Sequence, residues 1–237
     1  HYGQFDAVVV LTETSRAEYR QVLPGTPIIR IPNGIPMAGR AHSDHSAPVI
    51  IAVGRLVKQK GFDYLIQAFA SIADRHPEWE LRVFGTGPLE DKLRDLIEEH
   101  GLTGRFRLMG RTDRIHEEMA AASIYALSSR IEGLPMAMIE AMGHALPVVA
   151  FDCPTGPADV LTHGVDGVLV PPRDPDALGA ELSRLMNDPG ERRRLGLAAA
   201  RTAQGYAPET VMPLWEKLFT TLSEGGSLDG PPWTSSR

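Results

Sequence analysis

The chain has 237 residues, of which 43% are hydrophobic and 23% charged, the composition of a globular protein able to bury a core. Its 24 Lys and Arg against 30 Asp and Glu leave a formal net charge of -6, which excludes a general nucleic-acid binder but not a local basic pocket. Cys153 is the single cysteine, so no intramolecular disulfide can form and a cytosolic compartment fits. No apolar run approaches the ~20 residues that span a bilayer, so no transmembrane segment is expected.

The N-terminus lacks the basic start of a signal peptide, and His1-Tyr2-Gly3-Gln4-Phe5-Asp6 leads straight into the apolar run Ala7 to Leu11. With no initiator Met, the chain is expected to be a fragment. Thr12-Glu13-Thr14-Ser15 can cap a short helix to about Val22, which Leu23-Pro24-Gly25 stops. Ile28 to Ile31 reads as a strand broken by Pro32-Asn33-Gly34. Residues 36 to 47 are small and polar and read as a linker in which His42 and His45 are solvated.

A regular series follows. Strands are expected at Val49 to Val53, Leu81 to Phe84, Phe106 to Met109, Ile124 to Leu127, Pro147 to Phe151 and Val168 to Val170. Helices are expected between them at Phe62 to Asp74, Pro88 to His100, Asp113 to Ala121, Pro135 to Gly143 and Pro157 to Leu161. Three more follow at Pro175 to Met186, Pro189 to Ala203 and Pro208 to Leu222. Nearly continuous apolar strands alternating with helices predict an α/β fold with a doubly wound parallel sheet. The Gly-, Ser- and Pro-rich tail from Gly225 to Arg237 reads as disordered.

Two segments carry the chemistry. Gly54-Arg55-Leu56-Val57-Lys58-Gln59-Lys60-Gly61 follows the first strand of the series, and its cations suit a diphosphate. Glu132-Gly133-Leu134-Pro135-Met136-Ala137-Met138-Ile139-Glu140 follows the fourth, and its two carboxylates suit hydroxyls of a ribose and a sugar. In the common doubly wound order the first and fourth strands are neighbours at the topological switch point, where ligands bind. The two segments therefore share a crevice, which reads as a nucleotide-sugar site. Pro135 fits the first helical position, where backbone N–H groups favour an anion. Glu140 lies roughly 7–8 Å further along that helix, so the carboxylates can bracket the phosphates. Gly85-Thr86-Gly87 is not a dinucleotide fingerprint, because Glu90 stands where the third glycine belongs. A tight strand-to-helix turn explains it at least as well as phosphate contact, and a dehydrogenase is disfavoured.

With these residues assembled, the chain resembles the C-terminal, donor-binding half of a family 4 glycosyltransferase of GT-B fold. The matching segments are Pro32-Asn33-Gly34, Gly54-Arg55-Leu56 with Lys60-Gly61, Gly85-Thr86-Gly87-Pro88 and Met109-Gly110-Arg111. They continue with the E-x7-E run Glu132 to Glu140, Glu140-Ala141-Met142, Pro147-Val148-Val149-Ala150 and Asp166-Gly167-Val168-Leu169-Val170. The run Phe151-Asp152-Cys153-Pro154-Thr155-Gly156-Pro157 resembles bacterial enzymes that build surface polysaccharides or lipid-linked glycans.

The resemblance implies a retaining hexosyltransferase using a nucleotide diphosphate sugar, UDP-sugar before GDP-sugar, with no divalent metal and no other cofactor. It implies that Arg55 and Lys60 bind the diphosphate and stabilise the leaving group, that Glu132 holds donor-sugar hydroxyls and that Glu140 holds the ribose. It brings Gly54, Gly85, Gly87, Arg111 and the backbone of Gly133, Leu134, Pro135 and Met136 to the donor, with Arg111 near the base. It further divides the chain into 1–35, a remnant of an acceptor domain; 36–47, a linker; 48–205, the donor domain; 206–222, a helix that packs back on the acceptor domain; and 223–237, the tail. That helix carries Tyr206, Trp215 and Phe219, whose alternative is packing on the donor domain's own sheet. A glycan or lipid-linked acceptor would bind through the missing domain, and the full protein would be cytoplasmic, at the inner membrane face. Ala145 stands where many relatives have Gly, and Pro135 replaces a common Gly. The alternatives left open are a non-catalytic nucleotide-sugar-binding module and a UDP-sugar epimerase of similar fold.

Overall fold

The computed structural model describes residues 5–37, 39–228 and 230. Most of the tail expected to be disordered, 231–237, lies outside them, as do residues 1–4. An N-terminal unit of β1 (Val8–Val10), α1 (Glu13–Val22) and β2 (Ile28–Arg30) forms a two-stranded parallel sheet. Thr12 caps α1 as expected, its side chain accepting from the Ser15 backbone N–H.

The main sheet has six parallel strands: β3 (Val49–Val53), β4 (Glu80–Phe84), β5 (Phe106–Gly110), β6 (Ile124–Leu127), β7 (Val148–Phe151) and β8 (Val168–Val170). Their order is β5-β4-β3-β6-β7-β8, the doubly wound order expected. Every residue of β6 and β7 is buried, which explains their unbroken apolar sequence. The helices are α2 (Phe62–Ala73), α3 (Glu90–Glu99), α4 (Ile115–Ala121), α5 (Met136–Gly143), α6 (Pro157–Val160), α7 (Pro175–Asn187), α8 (Pro189–Ala203) and α9 (Pro208–Ser223). On α2, Phe62, Leu65, Ile66, Phe69, Ile72 and Ala73 form one buried face at helical spacing. Two core clusters lie on the sheet, one with Ile50, Leu81, Phe69 and Leu182, the other with Ile51, Tyr125, Met138 and Ala199.

Three expectations need correction. Helix α3 starts at Glu90, not Pro88, because the chain first crosses the loop after β3, where the Leu89 N–H donates to the Leu56 carbonyl at 3.0 Å. Helix α4 starts at Ile115 rather than Asp113, since the Arg114 N–H is taken by the Thr112 hydroxyl at 3.0 Å. Segment 36–47 is no loose linker. Met37, Ser43 and His45 are buried, and the His45 Nε2 meets the Ala145 carbonyl at 2.8 Å. His42 is exposed as expected.

Helix α9 packs on the N-terminal unit: Val211 and Leu218 join Ile29 and Ile31, with Trp215 partly buried against them. Tyr206 belongs instead to the core of the main sheet, and Phe219 is exposed. Ala145 has φ 59°, in the left-handed region that favours glycine, so this Ala carries a backbone cost.

Burial lowers the pKa of His45, His76 and His144. An unfolded histidine titrates near about 6.5, so just below that pH the unfolded chain binds more protons than the folded one. Stability must then fall as pH drops below about 6.5, and stop falling once it passes the lowered folded values. The depressed carboxyls of Asp63 and Glu191 act only in a more acid range, near about pH 4 and below. Urea unfolding should therefore show a lower midpoint at about pH 5.5 than at about pH 7.5, and His144→Asn should reduce the difference.

Candidate active site

The parallel pairing of β3 with β6, Ile50 opposite Ile124 and Ile51 opposite Tyr125, sets the loop after β3 beside the loop after β6. The first ends in a 3-10 turn, Lys58–Lys60, and then Gly61 in the left-handed region at φ 63°. A Cβ on Gly61 would collide with the Ser128 carbonyl. Glycine is required there twice over, for its φ and for the close approach of the second loop.

The contact delivers Lys60 to Glu132. The Lys60 Nζ lies 2.7 Å from the Glu132 Oε1, and the Ser129 hydroxyl donates to the same oxygen at 2.5 Å. Glu132 is only 7% exposed. Among the described residues no protein group donates to its Oε2, so one carboxylate oxygen is committed to the protein and the other is available. The loop after β7 braces this one from behind, with the Thr155 hydroxyl donating to the Glu132 carbonyl. Burial and the Glu132 charge push the Cys153 thiol up to about 11, so it stays protonated and is no nucleophile. Burial first, then the Glu132 and Glu140 charges, raise the pKa of the Tyr125 hydroxyl, which therefore stays neutral.

Arg55 and Arg111 are exposed, and their guanidinium groups make no hydrogen bond or ion pair among the described residues. The loops that carry them are stitched together: the Gly54 N–H donates to the Phe84 carbonyl at 3.0 Å, and the Gly85 N–H to the Gly110 carbonyl at 2.8 Å. Gly85 has φ 144°, and a Cβ there would collide with the Gly54 carbonyl; one on Gly87 would meet the Leu56 backbone. Loop packing alone therefore requires both glycines, in line with the tight-turn reading.

Pro135 is not the first helical residue. It precedes α5 with φ -76° and ψ 76°, and the Met136 N–H turns back to the Leu134 carbonyl at 2.8 Å, an inverse γ-turn. That bond consumes an N–H the reading had assigned to the ligand. The Gly133 and Leu134 N–H groups donate no hydrogen bond among the described residues and remain for a ligand.

Glu140, on α5, is half-buried, and its own carbonyl accepts from the Arg40 Nη1 at 2.8 Å. Its side chain lines a groove of about 940 Å³ between segment 36–47, α4 and α5, together with Arg40, His116 and His144. The sequence reading missed all three: Arg40 acts through a backbone carbonyl, and the His116–His144 contact, 3.2 Å between ring nitrogens, joins residues 28 apart with no shared motif. Among the described residues no group of three or more His, Cys, Asp or Glu side chains is arranged to hold a metal ion, and no helix is long and apolar enough to cross a membrane.

Residues 39–202 match the family of glycosyl transferases group 1. The chain is 40% identical over 220 residues to an exopolysaccharide phosphotransferase of Streptomyces coelicolor, covering 92% of this chain and 23% of the relative. It is 31% identical over 170 residues to the amylovoran biosynthesis glycosyltransferase AmsD of Erwinia amylovora, covering 72% of this chain and 47% of the relative. The chain thus spans less than half the length of these relatives. Among solved structures it is similar to S. aureus TarM in a complex that includes UDP, with a TM-score of 0.85 at 24% identity over 92% of this chain and 44% of that one. Anabaena HepE with UDP and glucose gives 0.80 at 24% identity, over 94% and 64%. Both identify the fold as that of the C-terminal Rossmann-like domain of GT-B glycosyltransferases.

The geometry separates two kinds of residue. Gly61→Ala should cost about 3 kcal/mol or more, as steric strain and lost loop contact add. Arg55→Ala should change stability by less than about 0.5 kcal/mol. Urea unfolding of the two variants checks both.

Proposed function

Because this chain belongs to the glycosyl transferases group 1, we propose that it is the donor-binding part of a hexosyltransferase that uses a nucleotide diphosphate sugar, UDP-sugar first and GDP-sugar second, with retention. One observation carries the reading: the Lys60–Glu132 pair at the β3–β6 crevice, with the guanidinium of Arg55, unpaired among the described residues, on the same loop as Lys60. The family 4 assignment rests on the same residues.

In this reading Arg55 takes the diphosphate bidentately, and Lys60 adds a second positive charge. Together they balance the charge that develops on the leaving nucleotide diphosphate, in place of a divalent metal. The Glu132 Oε2 accepts from donor-sugar hydroxyls while Oε1 keeps its protein partners. The N–H groups of Gly133 and Leu134 face the same ligand. Glu140 accepts from the ribose hydroxyls at the mouth of the groove, and Arg111 lies toward the base beside Gly54, Gly85 and Gly87. Pro135 and Met136 shape the turn rather than donate to the ligand.

The acceptor is a glycan or lipid-linked glycan, held by a part of the full protein outside residues 36–222, and the reaction is cytoplasmic. Support for a surface-polysaccharide acceptor comes from the names of the exopolysaccharide and amylovoran relatives. The similarity to a short stretch of a much longer phosphotransferase favours a second reading. There this part binds a nucleotide sugar within an enzyme of another activity. Release of nucleotide diphosphate by the full-length parent, with and without a glycan acceptor, separates the two.

Calorimetric titration with UDP, GDP and ADP, without divalent metal, tests the first reading. Saturable binding to one of them is expected, and binding to none would sink it. Arg55→Ala should weaken the diphosphate about 10- to 100-fold, the worth of a charge-assisted hydrogen bond, and leave the bare nucleoside within about twofold. Glu140→Ala should weaken nucleoside and diphosphate alike, by about tenfold. An equal loss of both ligands in the Arg55 variant would contradict its diphosphate role.

A further inference from the structure

We propose that Arg130 is a positioning residue: with Asp63 it forms a latch that clamps the loop carrying Lys60 onto the loop carrying Glu132. The proposal rests on the donor-binding reading for its consequence, but its geometry stands without a ligand.

Arg130 lies between Ser129 and Glu132 on the loop after β6. Its guanidinium is bidentate to Asp63, Nη1 to Oδ1 at 2.8 Å and Nη2 to Oδ2 at 2.5 Å. Nη1 also donates to the Lys58 carbonyl at 2.6 Å. Its backbone N–H donates to the Gln59 carbonyl at 2.7 Å, and the Gln59 side chain returns a bond to the Ile131 carbonyl at 3.0 Å. Every hydrogen-bond partner of Arg130 itself among these, Lys58, Gln59 and Asp63, lies in 58–63, the segment that contains Lys60.

The guanidinium is also fixed from its flat face. It sits 4.2 Å from the centre of the Tyr64 ring, and Tyr64 packs edge-on against Phe151 at the end of β7. Asp63 and Tyr64 both stand in the first turn of α2. The latch therefore joins α2, both loops and the sheet through a single side chain. Burial disfavours the Asp63 carboxylate, but the hydrogen bonds and charge of Arg130 outweigh it and lower its pKa.

A planar fork does what a point charge cannot. Arg130 meets two carboxylate oxygens and a carbonyl at once while stacking on a ring, and Lys has neither the plane nor the donors for that. Lys60 and Arg130 carry like charge on adjoining loops, so the loops gain no general attraction from their cations. Asp63 supplies the neutralising charge on one side and Glu132 on the other. Arg130 does not touch the oxygen of Glu132 that is open to a ligand; it acts by holding Lys60 and Glu132 at their 2.7 Å contact.

The first test uses the full chain without ligand. Hydrogen exchange should rise about tenfold or more over 54–61 and 128–134 together in Arg130→Lys, with the β3 and β6 amides unchanged. Unchanged exchange in both loops would overturn the latch, whether or not the chain binds a nucleotide. The second test uses UDP and uridine. Arg130→Lys and Asp63→Asn should each weaken UDP about tenfold and uridine less than about twofold, and in a Lys60→Met background the Arg130 substitution should have no further effect. A full loss in that background would show that Arg130 does not act through Lys60, and an equal loss of uridine would show mere structural damage; either overturns positioning. A wild-type chain that binds none of the nucleotides would instead sink the donor-binding reading, and the exchange result would still decide the latch.

Discussion

The pairing of β3 with β6 is the constraint on which the cleft depends. Their carboxyl ends lie side by side because the chain reverses direction across the sheet there, and the two outgoing loops have nowhere else to meet. The contact is closed at backbone level, where Gly61 faces the Ser128 carbonyl without a Cβ between them. The strands beneath are almost wholly apolar and buried, and burying each such side chain stabilises by about 1.5–3 kcal/mol. The sheet thus supplies the energy, and the loops inherit a position that their own polar sequence could not have specified.

Electrostatics then assigns different roles to like charges. A carboxylate as buried as Glu132 would cost several kcal/mol if left alone. Lys60 and Ser129 offset that cost through one oxygen, so the other can meet a ligand hydroxyl without breaking the pair. Lys60 must divide its charge between Glu132 and any phosphate. Arg55 has no internal partner among the described residues and gives up only hydration on binding an anion. Two cations five residues apart are therefore inequivalent, one held in an internal ion pair and the other without an internal partner among the described residues.

Segment 36–47 forms a wall of the groove rather than a tether. The Arg40 guanidinium bonds the Glu140 carbonyl, the Ser43 N–H bonds the His144 carbonyl at 2.8 Å, and His45 bonds the Ala145 carbonyl. These contacts satisfy carbonyls in the last turn of α5 and just after it, which the helix itself leaves unpaired. Residues before the main sheet also make contacts elsewhere: the Asn33 amide meets the Met136 sulfur at 3.6 Å, and the Thr14 N–H bonds Asp159 at 3.0 Å.

The order and approximate extent of the elements, the doubly wound class and the meeting of the two motif loops were legible in the sequence, although the first residues of α3, α4 and α5 were not. Apolar periodicity and the Gly and Pro stops are local, and the strand order follows from general handedness and connection rules. The sequence also marked Arg55, Lys60 and Glu132, charges beside glycines in loops that follow strands, and Glu140 through its eight-residue spacing from Glu132. Tertiary packing alone set the Lys60–Glu132 pair, the γ-turn that Pro135 closes instead of opening the helix, and the burial of His45. It alone connected Arg130 to Asp63 across 67 positions. Each of these depends on groups far apart in the chain competing for the same donor or the same space, and no local pattern encodes which of them wins.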